Sequence, residues 1–83
     1  MNMKWIKERM PWRAELIHEV DLAIEGKIIA SVRKDKPISG IVTHYGYKKI
    51  GNNNVKMCRF YPDVAPDNYW DFSSKWLKRI KNQ

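Results

Sequence analysis

Few side chains in this 83-residue chain can do chemistry near neutral pH, and they are scattered. Histidine is the side chain that exchanges protons there unaided, and only His18 and His44 are present. His18 stands among Glu15, Glu19 and Asp21, a setting for solvated ion pairs rather than proton transfer. His44 shares a strand phase with Lys48, and together with Arg59 and a neighbouring tyrosine it makes up the residue types of a small metal-independent ribonuclease. Its spacing fits a structural histidine equally well.

Cys58 is the single cysteine, which excludes an intrachain disulfide, and no pair of Cys and His has metal-ligand spacing. A nucleophilic thiol would need a dedicated cationic donor, and only diffuse positive charge surrounds it. Asp63, Asp67 and Asp71 recur every four residues, but Pro66 interrupts them, so they do not line one helix face. GYKKIG, residues 46–51, lacks the pattern of a phosphate-cradling loop that opens a helix. The expectation is therefore no catalysis, no metal and no cofactor.

What remains is charge, and it is concentrated. The net charge is +7. Residues 1–26 hold four basic and five acidic side chains, residues 27–60 eight basic against Asp35 alone, and residues 61–83 four against three. Like charges gathered in one segment repel one another in the folded state and point to a polyanionic partner. The densest stretch is GYKKIGNNNVKMCRF, residues 46–60, in which Lys48, Lys49, Lys56 and Arg59 surround a run of asparagines and alternate with Tyr47, Met57 and Phe60. Arg33, Lys34 and Lys36 extend the patch. Lys, Asn and Ile are abundant, a bias that fits an AT-rich genome of the phage or mobile-element kind.

Elements must position these groups. The apolar positions Trp12, Leu16, Ile17, Val20, Ala23 and Ile24 fall on one helical face, with Pro11 and Gly26 as start and stop signals, so the spacing predicts a helix over residues 12–25. A tight hairpin at Glu25 and Gly26 would pair Ala23 with Ile28 and Leu22 with Ile29, splitting the apolar residues over both faces, whereas a three-residue loop would restore one clean face. Residues 28–33 read as a first strand, 38–50 as a second that bends at Gly40 or Gly46, and 55–61 as a third ended by Pro62. Tyr69, Phe72, Trp76 and Ile80 have helical spacing behind Asn68 as a cap, with Lys78, Arg79 and Lys81 at the favourable end of the dipole, which predicts a C-terminal helix.

The fold class expected is α+β: a single small domain with a three-stranded antiparallel sheet, a C-terminal amphipathic helix and an N-terminal one. Closing the hairpin through Gly51–Asn54 pairs Ile50 with Val55, Lys48 with Met57 and Gly46 with Arg59. On the other face it pairs Lys49 with Lys56, Tyr47 with Cys58 and Tyr45 with Phe60, and the opposed lysines repel until an anion binds. An exposed Tyr45 and Tyr47 would make a stacking platform for single-stranded nucleic acid.

The leading expectation is a non-catalytic nucleic-acid-binding protein, RNA ahead of DNA, using Lys48, Lys49, Lys56, Arg59, Tyr45, Tyr47, Arg33, Lys34 and Lys36. The alternative is an inhibitor or adaptor that docks on an acidic protein with Trp5 or Trp12 as anchor, and the third reading is the ribonuclease. The acidic stretch from Glu15 to Glu25 could meet the basic patch of a second copy, giving a homo-oligomer. The charged amino terminus lacks the apolar core of a signal peptide and no run is long enough to span a membrane, so a cytoplasmic protein with no membrane partner is expected.

Overall fold

The computed structural model of the protein describes residues 3–81. Among the described residues seven strands follow one another: β1 (Ile6–Leu16), β2 (Val20–Ile24), β3 (Lys27–Val32), β4 (Ile38–Ile50), β5 (Asn53–Pro62), β6 (Trp70–Ser73) and β7 (Leu77–Arg79), with a 3₁₀ turn at Ser74–Trp76. A five-stranded antiparallel sheet has the order β6-β5-β4-β1-β7, and β2 and β3 pair separately as a hairpin. The α+β expectation is thereby overturned, because no α-helix forms among the described residues.

Both expected helices are strands. In β1 the residues Trp12, Ala14 and Leu16 turn inward while Arg13 and Glu15 alternate outward, and the same phase resumes with Val20 and Leu22 in β2. The apparent helical face came from Ile17 and Ala23, which are exposed, the first at a corner and the second next to a turn. Pro11 lies in an irregular stretch of β1 where residues 8–11 oppose one residue of β4, and Gly26 completes a two-residue turn with Glu25 in which both have positive φ. That turn does pair Ala23 with Ile28, but a bulge at Ile29 then sets Leu22 opposite Ala30. One extra residue thus keeps Leu22, Ala30 and Val32 on the apolar side.

The C-terminal segment carries helical spacing only because β6 and β7 are joined by a three-residue turn. Trp70 and Phe72 alternate inward on β6, Ser73 Oγ accepts from the Lys75 amide to start the 3₁₀ turn, and Leu77 is buried on β7. Aromatic residues suit a pleated, half-buried surface, and two short edge strands satisfy them here. Asn68 caps nothing, and the cations 78, 79 and 81 compensate no helix dipole.

β6 and β7 occupy opposite edges of the five-stranded sheet although only Ser74–Trp76 separates them. A flat sheet would hold those edges about 19 Å apart, at roughly 4.8 Å per strand, whereas a 3₁₀ turn rises only about 2 Å per residue. The sheet must curl. Its corner is Thr43, where β4 bulges against β5 and where β1 bulges against β4. Inside the curl lie Ala14, Leu16, Leu22, Val32, Val42, Cys58, Phe60, Phe72 and Leu77. Gly40 is needed there, since a Cβ would stand 2.3 Å from the Tyr61 carbonyl oxygen and 2.7 Å from the Phe60 ring.

Arginine–carboxylate pairs fasten the loops to this sheet. Arg13 donates from both terminal nitrogens to Asp63, which ties β1 to the segment after β5. Arg33 pairs with Asp21 at 3.0 Å and so holds the end of β3 to β2. Hydrogen bonds from the Arg13 guanidinium hold the Asp63 carboxyl below the usual carboxylate range. No described helix is long and apolar enough to cross a membrane.

Two outcomes follow from this packing. Gly40→Ala should lower the unfolding free energy by about 1–3 kcal/mol in urea titration while the far-UV circular dichroism stays β-type without helical minima. Because the folded pKa of Asp63 is depressed, its pair stabilises above the unfolded value near 4 and is lost as the pH falls through the folded value. Asp63→Asn should therefore cost up to about 1 kcal/mol at neutral pH and leave the acid limb of the stability–pH curve flatter.

Candidate nucleic-acid interface

β4 and β5 run past the corner as a hairpin closed by Gly51 and Asn52, with Ile50 opposite Asn53. Gly51 has φ +61, the first-position conformation of a type II′ turn, for which glycine costs least. The four-residue loop expected from the asparagine run is thus two residues long, and Asn53 and Asn54 join β5. Every pair moves by two: Lys49 faces Asn54, Lys48 faces Val55, Tyr47 faces Lys56, Gly46 faces Met57 and Tyr45 faces Cys58. Lys49 and Lys56 are not opposed, so the expected repulsion between them is absent as a cross-strand pair.

A shift by two preserves the faces. Tyr45, Tyr47, Lys49 and Lys56 still share one side, and that side is the concave one, since Tyr45 neighbours buried Cys58. The core face continues outward from Phe60 and Cys58 to the tyrosines. Tyr47 is 55% exposed, and its ring meets that of Tyr45 edge-on with centroids 6.3 Å apart. The Lys56 ammonium stands 5.1 Å from the Tyr45 centroid, a cation–π contact worth about 0.5–1 kcal/mol at such a site. It holds Lys56 beside the ring without neutralising it.

The other expected site residues separate into two groups. Arg59 lies on the opposite face, its guanidinium over the rings of Trp5 (4.5 Å) and Tyr69 (4.1 Å), with Nε 3.2 Å from Asp71. It is neutralised and occupied in joining β5 to β6. Arg33, Lys34 and Lys36 sit in the turn before β4, at the end of that strand remote from the hairpin tip, and Arg33 is already paired with Asp21. The middle third of the chain does not form one patch. It leaves Lys49 and Lys56 with the two tyrosines on one face of the hairpin and Lys48 on the other, and among the described residues no lysine makes an ion pair.

Lys75 was missed by sequence reasoning. An open groove of about 600 Å³ runs between Asn53, Asn54 and Lys56 of β5 and Ser73, Ser74 and Lys75 of the 3₁₀ turn. Two lysines and several neutral donors thus line one trough. Reading residues 68–81 as a helix hid this, because that assignment gave Lys75 to solvent; recognising Trp70–Ser73 as an edge strand would have placed it beside β5.

His44 faces Arg59 and Lys7 across its neighbouring strands, with Nδ1 2.8 Å from Thr43 Oγ1, away from the tyrosines. Among the described residues no three His, Cys, Asp or Glu side chains could hold a metal ion. Burial pushes the Cys58 thiol above its ordinary pKa. Native protein should therefore resist iodoacetamide at neutral pH and be alkylated only once unfolded, as mass spectrometry would read directly. Neither protein-family models, curated proteins nor solved structures match the chain.

Proposed function

We propose that the protein is a non-catalytic nucleic-acid-binding protein, RNA ahead of DNA, that works in the cytoplasm and holds its ligand at the β4–β5 hairpin. The observation that carries this reading is the coincidence on one face of unpaired Lys49 and Lys56 with an accessible pair of tyrosines, with a third unpaired lysine, Lys75, lining the same groove as Lys56. Lysine ammonium groups neutralise phosphates without demanding a fixed geometry, and an exposed ring accepts any base on its π face. RNA is placed ahead because sequence-tolerant stacking suits unpaired, splayed bases. Lys48 and Arg59, on the other face, and Arg33, Lys34 and Lys36, at the remote end of β4, have no part in this site.

The other two readings have less to stand on. Trp5 lies under Arg59 and Trp12 under Arg79, with the Trp12 indole nitrogen donating to Glu8, so both rings are engaged within the fold rather than free to anchor a partner. A ribonuclease would need His44 beside the phosphates, and it faces away from Tyr45 and Tyr47.

Binding to fluorescent oligouridylate and oligothymidylate tests the proposal. The logarithm of the binding constant should fall against the logarithm of salt with a slope of about −2, the value for three phosphate contacts to a single strand. Lys49→Glu with Lys56→Glu should abolish binding, and Tyr47→Ala should weaken it by about 1–3 kcal/mol. Retention no stronger than that of an unrelated protein of equal charge would reject the proposal.

A further inference from the structure

The exposed apolar side chain that the fold least explains is Met10, 79% exposed at the crest of the β1 bulge. A bulge that only bent the sheet would not have to lift a methionine into solvent. Four residues of β1, Glu8–Pro11, oppose Thr43 alone, and β7 meets β1 only from Ala14 onward. The result is a trough along the mouth of the curl, walled by the bulge on one side and by the end of β7 on the other.

Its lining is basic and continuous with the hairpin. One section, about 640 Å³, runs from Tyr45 past Lys7, Arg9 and Met10 to Arg79. The next, about 410 Å³, shares Met10 and Arg79 and continues over Trp12 to Lys81. Tyr45 therefore belongs both to the stacking pair and to the trough, and Ile6 lies directly across from it on β1. Among the described residues Lys7, Arg9, Arg79 and Lys81 make no ion pair, while the one carboxylate of these two sections, Glu8, accepts from the Trp12 indole. Arg79 rests over the Trp12 ring at 5.2 Å, its charge still unpaired.

We infer that this trough is the second half of the binding track, and that the ligand is a single-stranded polynucleotide lying from Lys49 and Tyr47, over Tyr45, to Arg79 and Lys81. The inference rests on the hairpin reading above. A duplex presents phosphates on a stiff cylinder and hides its base faces, whereas a single strand can follow a bent trough and offer a base to Tyr47, to Tyr45 and to the flexible thioether of Met10. Lys7, Arg9 and Lys81 meet phosphates along the trough, and Glu8 stays hydrogen-bonded to the Trp12 indole. Site sizes of roughly 4–16 nucleotides are usual for grooves of this kind.

An oligouridylate length series in fluorescence anisotropy, run on the full chain, tests the track. Wild type should gain affinity on lengthening from about 3 to about 8 nucleotides and should prefer the single strand to the matching duplex at least tenfold. Arg9→Gln with Lys81→Gln should bind the shortest oligomer as wild type does, lose the gain on lengthening, and reduce the salt slope by about 1.4, the value for two contacts. Photo-crosslinking of a thiouridine oligomer should label Met10 as well as Tyr45 and Tyr47. Unchanged length dependence in that variant, equal binding of the duplex, or adducts confined to the hairpin would each overturn the track while leaving the hairpin site standing. Absence of binding by wild type would instead remove both.

Discussion

The short link between two opposite sheet edges governs the rest of this structure. Trp76 ends that link, and its ring stacks against Phe72 at 5.5 Å and against His18 at 3.7 Å, while its carbonyl accepts from the Ile17 amide. The corner after β1 and the turn after β6 are thereby clamped together, which forces five strands to close around Phe60, Val42 and Leu16. Stacked aromatics contribute beyond their buried area, and a domain of this length has little core to spare. His18 belongs to this clamp, and its acidic sequence neighbours have no share in its role.

Arginine and lysine divide the charge between them. Among the described residues all three ion pairs use arginine, and the guanidinium groups of Arg59 and Arg79 lie over aromatic rings. A planar, weakly hydrated guanidinium can stack and donate in a fork, so it serves between strands; a compact, strongly hydrated ammonium gains little there and stays in water. The unpaired positive charge is therefore mostly lysine, and it collects where strands outrun their neighbours. β5 before Met57 has no β6 partner, and β1 before Ala14 has no β7 partner. Both grooves of interest lie along those unpaired margins.

How much of this could be read from the residues differs by element. β4 was legible to its limits, Ile38–Ile50, because β-branched and aromatic residues bounded by Pro37 and Gly51 leave few alternatives. β1 and β2 were not, because a corner at Ile17–Glu19 preserves the inward phase while adding apolar residues that mimic a helical face. Trp70–Arg79 was misread for a related reason: a three-residue turn between two short strands reproduces helical spacing. Hairpin length depended on whether Asn53 and Asn54 joined the turn or the ladder, and asparagine is at home in either. What survived the error is parity, since a slip of two leaves each side chain on its face.

Parity also resolves the choice between a buried and an exposed aromatic face. The two are one face at different depths. Phe60 and Cys58 are fully buried on it, Tyr45 is half-buried at the rim, and Tyr47 stands mostly in solvent. A tyrosine at such a rim keeps its ring against the core and its hydroxyl in water, so the core itself fixes the ring's position. The hairpin therefore does not need to be rigid on its own to present Tyr45, because packing inside the curl orients it. Any ligand that stacks there touches the outermost layer of the hydrophobic core, and Lys56, held over the same ring, is placed by the same packing.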